Sequence, residues 1–385
     1  MDVQKGTVEI RRNLIKGIQR LVVKVGSAVL TENGVLYRPT INRLADEVAF
    51  LVRKGYQVVL VSSGAIASGV GKMGLSRKPQ TIPQKQAVAA IGQGSLMQAY
   101  EEAFEHHQLL VAQILLTRED LTNRQRYLNA RNTLLTLLEW KIIPIVNEND
   151  TVAVDEIKFG DNDNLSALIT HLIDGDLLIA LTDTEGLYDR DPREDPQARL
   201  IPIVERIDKQ IEGFASQAAG RWGLGGMRSK IIAARKATLS GVPVIVANGR
   251  REGILRDIMN GKARGTLFIP QERQLSRRKH WIAFTLKPKG ELVIDDGAEK
   301  ALVERGKSLL PSGVLEVKGR FGIGSCIRFL DQQGRILGKG LVNYSSTDVN
   351  AIRGLKTSEI EGRLGTKDSD EIIHRDNLVI LKEKK

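Results

Sequence analysis

From Arg20 onward, short and nearly continuous apolar runs alternate with longer amphipathic segments, and this alternation constrains the fold more than any other feature. The runs occupy residues 21–25, 58–61, 109–116, 142–146, 177–181 and 242–247. Runs of this length, rich in Val, Ile and Leu, suit strands buried on both faces. Between them, residues 40–54, 84–107, 123–140, 165–173 and 228–240 carry helical spacing. Such alternation implies right-handed βαβ units and a parallel sheet covered by helices. The expected fold class is therefore α/β, a three-layer α/β/α sandwich with a mostly parallel central sheet. Ligands of such sheets sit at the carboxyl ends of the strands.

Four run ends carry the residue types a ligand would need. They are Lys24-Val25-Gly26-Ser27, Ser62-Ser63-Gly64-Ala65, Asn147-Glu148-Asn149-Asp150 and Thr182-Asp183-Thr184-Glu185-Gly186. Small residues let backbone N–H groups approach an anion, and a following helix N-terminus adds a favourable dipole. A fifth segment, Phe159-Gly160-Asp161-Asn162-Asp163-Asn164-Leu165-Ser166, leads into helix-spaced Leu165, Leu168, Ile169 and Leu172. One Asn or Asp suffices to cap a helix, so two of each point to a cationic partner or a ligand as well as to a cap. An EF-hand is excluded, because Ser166 and Leu172 stand where its Gly and Glu would be.

Two glycine-rich stretches call for separate readings. Gly223-Leu224-Gly225-Gly226-Met227-Arg228-Ser229-Lys230 opens a helix, a pattern suited to cradling phosphate or to a hinge with a surface lysine; it is not a Walker motif, which occurs nowhere in the chain. Gly69-Val70-Gly71-Lys72-Met73-Gly74 matches a dinucleotide fingerprint in spacing only. It does not directly follow a strand, and no acid stands near Ala89 and Ala90, so it is expected to be a mobile segment near the site rather than a nucleotide fold.

Composition changes at Gln271. Residues 1–270 carry a net +5 and residues 271–385 a net +6, so the shorter C-terminal part is the more basic. The charged stretch 271–279 reads as a linker or solvated face. Beyond it, short strand-like runs at 291–294, 314–317, 326–329 and 336–341, separated by turns such as Asp295-Asp296-Gly297, suggest a small β-barrel or sandwich with one short helix at 298–305. Two domains are expected, 1–270 and 281–385. Cys326 is the only cysteine, which excludes an intrachain disulfide and fits a reducing cytosol. No Cys/His metal spacing occurs, the first twenty residues lack the apolar core of a secretory signal, and no run approaches membrane-spanning length. A cytoplasmic location and no metal ligands from the protein are expected.

The five histidines fall outside every motif. A hydroxyl acceptor of a phosphoryl group would want a general base, whereas a carboxylate, with a pKa of about 4.3 for a Glu side chain, is already ionised. Lysines in motifs with no candidate base thus fit a kinase acting on a carboxylate.

Taken together, Val22-Val-Lys-Val-Gly-Ser27, Ser62-Ser-Gly-Ala-Ile-Ala67, Asn147-Glu-Asn-Asp150, Phe159-Gly-Asp-Asn-Asp-Asn-Leu-Ser166, Thr182-Asp-Thr-Glu-Gly-Leu-Tyr188 and Gly225-Gly-Met-Arg-Ser-Lys230 resemble the glutamate 5-kinase branch of the amino acid kinase family. The part from Gly290 through Pro311 to Tyr344 resembles a PUA domain. The resemblance implies transfer of phosphate from ATP, with Mg2+, to L-glutamate, the first step of proline synthesis. It also implies proline as feedback inhibitor, a downstream glutamyl phosphate reductase and a homo-oligomer. Carried over by position, it implies Lys24 and Lys230 on the phosphates with Asp163 orienting them. Ser63, Asp150 and Asn162 would hold glutamate, and Lys24, Thr182, Asp183, Leu224, Gly225, Gly226, Met227, Arg228, Ser229 and Lys230 would bind ATP. Leu224 departs from the Thr often found there, which touches only a side-chain contact. Two rivals remain: RNA binding, against which stands the absence of clustered aromatic and basic residues among Trp281, Phe284, Phe321, Phe329 and Tyr344, and a related kinase for another small acid.

Overall fold

The computed structural model describes residues 2–77, 79–153, 162–217, 226–270, 279 and 281–381. The chain divides into two compact units, Met1–Gln274 and Leu275–Lys385.

In the first unit each of the six apolar runs is a strand: β1 (Arg20–Val25), β2 (Gln57–Ser62), β3 (Val111–Leu116), β4 (Ile143–Glu148), β5 (Leu177–Thr182) and, after a two-residue β6 (Ile203–Val204), β7 (Val244–Asn248). With β8 (Thr266–Phe268) they form one sheet in the order β3-β4-β2-β1-β5-β7-β8-β6. All pairs are parallel except β7 with β8. Among the described residues, the helices of six residues or more in this unit are α1 (Asp2–Ile15), α2 (Arg38–Arg53), α3 (Ala65–Met73), α4 (Ile82–Glu105), α5 (Arg124–Glu139), α6 (Asn162–Leu172), α7 (Lys209–Gln217), α8 (Met227–Thr238) and α9 (Ile254–Met259). The sandwich expected from the alternation is what forms. β6 and β8 escape sequence reading because two or three residues carry no period, and α9 because six residues span less than two helical turns.

Strand alternation decides where the site lies. Leu21, Val23 and Val25 join the core with Ile41, Leu44 and Val48 of α2 and Tyr100 and Phe104 of α4. Successive side chains of a strand point to opposite faces, so Lys24 points away from that layer and meets Asp163 of α6. Because β1 lies between β2 and β5, the connections leave it in opposite directions, the place where α/β sheets open a crevice.

Gly69 and Gly71 do not form a mobile segment. They lie inside α3, which ends at Gly74 with φ +62°. A Cβ on Gly69 would stand 2.0 Å from Val88 O, and one on Gly92 would stand 1.9 Å from Ala65 O. The glycines therefore let α3 and α4 touch backbone to backbone.

The second unit holds a five-stranded sheet of β9 (Glu291–Ile294), β10 (Val314–Lys318), β11 (Cys326–Leu330), β12 (Ile336–Leu341) and β13 (Leu378–Ile380), in the order β10-β9-β11-β12-β13. Its core gathers Leu292, Ile294, Phe329, Leu337 and Tyr344 around Leu302 of helix α10 (Asp296–Val303). Asp295 is not part of a turn between strands: its side chain accepts from Ala298 N at 2.7 Å and caps α10.

Candidate active site

Four neighbouring strands, β4, β2, β1 and β5, bring the motif residues to one edge of the sheet. Lys24 is the penultimate residue of β1, within the strand rather than in a glycine loop, and only 4% of its surface is exposed. Its Nζ stands 2.5 Å from Asp163 Oδ1. Lys230, in the first turn of α8, places Nζ 3.4 Å from Asp163 Oδ2, and Ser229 Oγ donates to the same oxygen at 2.5 Å. Asp163 is 1% exposed, in the first turn of α6, where a negative charge is favoured by the helix dipole.

The electrostatics follow from this packing. Burial alone would raise the Asp163 pKa, but Lys24 and Lys230, helped by the Ser229 hydroxyl, outweigh it and hold the carboxyl below its usual range. Burial pushes the Lys24 ammonium below the usual lysine range, and Asp163 pulls it back. Two ammonium groups against one carboxylate leave a net positive charge in a site shielded from water, where it acts strongly on an anion. Asp183 at the end of β5 is close enough to act on Lys24 as well. Gly26 keeps the space beside Lys24 open, since its Cβ would lie 3.3 Å from Leu181 O and 3.6 Å from Lys24 Nζ.

On the other side of β1, Asn162 Nδ2 donates to Asn147 Oδ1 (2.9 Å), Ser63 Oγ (3.0 Å) and Ser62 O (3.2 Å). Asn162 Oδ1 is buried and has no hydrogen-bond partner. Asp150 follows β4, and burial pushes its carboxyl up to about 6 with no cation to offset the shift. An unbonded acceptor and a half-buried carboxylate with no hydrogen-bond or ion-pair partner among the described residues, together with the cationic cluster, suit a ligand with an ammonium at one end and a carboxylate at the other.

Profile comparison matches residues 19–248 to the amino acid kinase family and residues 290–364 to the PUA domain. The glutamate 5-kinase of Syntrophus aciditrophicus (strain SB) is 54% identical over 374 residues, 97% of each chain. That of Pelobacter propionicus (strain DSM 2379) is 53% identical over 373 residues, 97% of this chain and all of the relative. The chain belongs to the glutamate 5-kinases of the amino acid kinase family. The glutamate 5-kinase of Thermoanaerobacter sp. (strain X514) is 50% identical over 363 residues, 94% of this chain and 98% of the relative.

In this glutamate 5-kinase family member, Lys24, Lys230, Asp163 and Ser229 come together as one cluster, and Ser63 and Asn162 as a second. Thr182 is buried at the end of β5 and donates to Asp183 Oδ1 at 3.1 Å. Gly226 caps α8, Met227 is buried and Arg228 is exposed. Leu224, Gly225 and Phe159-Gly160-Asp161 lie outside the described residues. Sequence reading grouped Ser229 with the nucleotide contacts, whereas its hydroxyl is bonded to Asp163. It passed over Gln93, whose Oε1 accepts from Asn147 Nδ2 at 2.8 Å, because a glutamine inside a long amphipathic helix carries no motif.

Proposed function

We propose that the protein transfers the γ-phosphoryl group of ATP to the side-chain carboxylate of L-glutamate, giving L-glutamyl 5-phosphate and ADP. A carboxylate oxygen of glutamate attacks the γ-phosphorus, the bond to the β,γ-bridging oxygen breaks, and its electron pair leaves with ADP. No proton moves, so no general base is needed, in keeping with the absence of a histidine from the site. The observation that carries the reading is the grip of one buried carboxylate, Asp163, on two buried lysines beside the Ser63–Asn162 pair.

In this reading Lys24 and Lys230 stabilise charge on the transferring group and bridging oxygen, and Asp163 holds both in place. Asp150 and the free Asn162 Oδ1 receive the α-ammonium of glutamate, and Ser63 lines the same pocket. Thr182, Asp183 and residues 226–230 would contact the nucleotide, with Leu224 and Gly225 assigned to it from the motif alone. Among the described residues no group of three or more His, Cys, Asp or Glu side chains gathers to hold a metal, and Asp163 is committed to its lysines. Mg2+ would therefore enter on the ATP phosphates, where it neutralises charge.

The product is an acyl phosphate, which hydrolyses readily, so a reductase that consumes it is the expected next enzyme, in the proline pathway. Feedback by proline and homo-oligomer formation are proposed from family membership alone, as is a cytoplasmic location. Among the described residues no helix is long and apolar enough to cross a membrane. The test is an ATP assay with hydroxylamine, which converts acyl phosphates to hydroxamates, run on glutamate, N-acetylglutamate and aspartate. A hydroxamate from glutamate in clear preference is expected; preference for either other acid would overturn the substrate assignment.

A further inference from the structure

A line of three side-chain amides crosses the substrate end of the site. Gln93 Oε1 accepts from Asn147 Nδ2 at 2.8 Å, and Asn147 Oδ1 accepts from Asn162 Nδ2 at 2.9 Å. The line has a direction, and the backbone sets it. Glu148 N–H donates to Asn147 Oδ1 at 2.9 Å, and Asn162 Nδ2 donates to Ser62 O. Turning all three amides over would set Asn147 Nδ2 against the Glu148 N–H and Asn162 Oδ1 against the Ser62 carbonyl, losing both bonds. With the direction as it stands, Asn162 ends the line with a free acceptor, Oδ1, and Gln93 begins it with a free donor, Nε2; both are buried and unbonded.

The free donor is informative. A buried N–H without a partner weakens the fold, so Gln93 is a poor choice for packing alone. What Gln93 supplies is an acceptor for Asn147 Nδ2. Without it, that N–H would lack a partner and Asn147 would no longer be held from both sides. α4 turns two glutamines seven residues apart, on one face of the helix, toward this segment: Gln86 Nε2 donates to Ala153 O at 3.3 Å, and Gln93 meets Asn147.

We propose that Gln93 is a positioning residue of the amino-acid site. It holds Asn147 from the far side, and through Asn147 keeps Asn162 in the place where its backbone-set orientation turns an acceptor toward the α-ammonium of the substrate. This rests on the glutamate-kinase reading above.

Two variants separate positioning from packing. Gln93→Met keeps the volume, removes the acceptor and also removes the unbonded donor. Gln93→Glu keeps the acceptor but buries a charge. If Gln93 positions Asn162, the glutamate KM rises roughly tenfold or more in Gln93→Met and less in Gln93→Glu, while the ATP KM stays within about twofold in both, the pattern of a lost contact to one substrate. Thermal stability does not follow that order: Gln93→Met trades one unbonded buried donor (Gln93 Nε2) for another (Asn147 Nδ2) and should melt close to wild type, whereas Gln93→Glu buries a charge and should be the less stable of the two. A residue that only packs would lose stability and affinity in the same order, and that outcome overturns the proposal. So does an unchanged glutamate KM in Gln93→Met. Side-chain amide resonances in protein labelled with 15N-asparagine give a readout independent of turnover. Those of Asn147 and Asn162 should both shift in Gln93→Met, and an unshifted Asn162 overturns the proposal. Failure of the functional reading looks different, since wild type would then give no hydroxamate from glutamate, and the resonances would still decide the positioning role.

Discussion

At the scale of residues, the site is one carboxylate shared between two lysines. Removing a preorganised donor to a developing charge typically costs about 3–4 kcal/mol, or hundreds-fold in kcat. Lys24→Ala and Lys230→Ala should lose kcat on that scale at saturating ATP, with little change in glutamate KM. Near-normal kcat in Lys24→Ala would return that lysine to a structural role at the end of a buried strand. Asp163→Asn keeps the shape but removes the carboxylate that the two buried ammonium groups share, so it should resemble the lysine variants in kcat. Asp150 offers a pH test. Its carboxyl titrates near 6 in the folded protein, well above the usual value of about 3.9. As pH falls through about 6 the group becomes neutral and stops attracting an ammonium. The glutamate KM should therefore rise below pH 6 while the ATP KM does not, and Asp150→Asn should show a high glutamate KM with no such inflection. The folded-state pKa is raised, so ionised Asp150 opposes folding above about pH 6. By linkage, Asp150→Asn should melt higher than wild type at pH 8; a lower melting point would show that Asp150 has a structural partner.

At the scale of elements, each group proposed to be catalytic sits at a strand or helix end that sequence pattern alone located to within a few residues. The turn after β2 shows why a glycine was needed: Gly64 adopts φ +112° between Ser63 and α3, a conformation that strains any side chain. The α3–α4 contact shows where local reading fails. The spacing of Gly69 and Gly71 suggests flexibility, but what makes Gly69 necessary is α4, whose Val88 lies against it, while Gly71 faces Val35. Gly69→Ala or Gly92→Ala forces two backbones apart, and overpacking of this kind typically costs about 1–3 kcal/mol. Either variant should lower Tm by several degrees. Because α4 carries Gln93 to Asn147 beside the proposed amino-acid site, glutamate KM should also rise; unchanged stability would mean the helices separate at little cost.

At the scale of the whole molecule, the two units have separate cores, one around β1, α2 and α4 and the other around β9, β11 and α10. Every motif assigned to ATP or glutamate lies before Gln271. A fragment of residues 1–270 is therefore expected to fold cooperatively and to turn over glutamate at a rate comparable to the full chain, as read by hydroxamate formation and calorimetry. A folded fragment without activity would show that the C-terminal unit completes the site. Among the described residues of the basic PUA unit, Trp281, Phe321, Phe329 and Tyr344 are buried rather than offered as a stacking platform, so filter binding of RNA across a salt series should show only weak, strongly salt-dependent association.

The order of apolar runs and helical segments was enough to determine the layered, mostly parallel sheet, because burial on both faces of a strand and on one face of a helix leaves its period in the chain. The same order located Lys24, Ser63, Asp150, Asn162, Asp163, Thr182 and Lys230 at element ends, and residue type suggested an anion held by lysines. Only the tertiary structure decided which of these meet. Lys24 and Lys230 are 206 positions apart, and it is the crossover that sets β1 between β2 and β5 that puts α6 and Asp163 between them. Ser229 as a fourth member of the ionic cluster, the amide line from Gln93 to Asn162 and the glycine contact of α3 with α4 leave no periodic trace. Each depends on a partner distant in sequence, and pattern along a chain records a residue's own environment rather than the identity of what lies across from it.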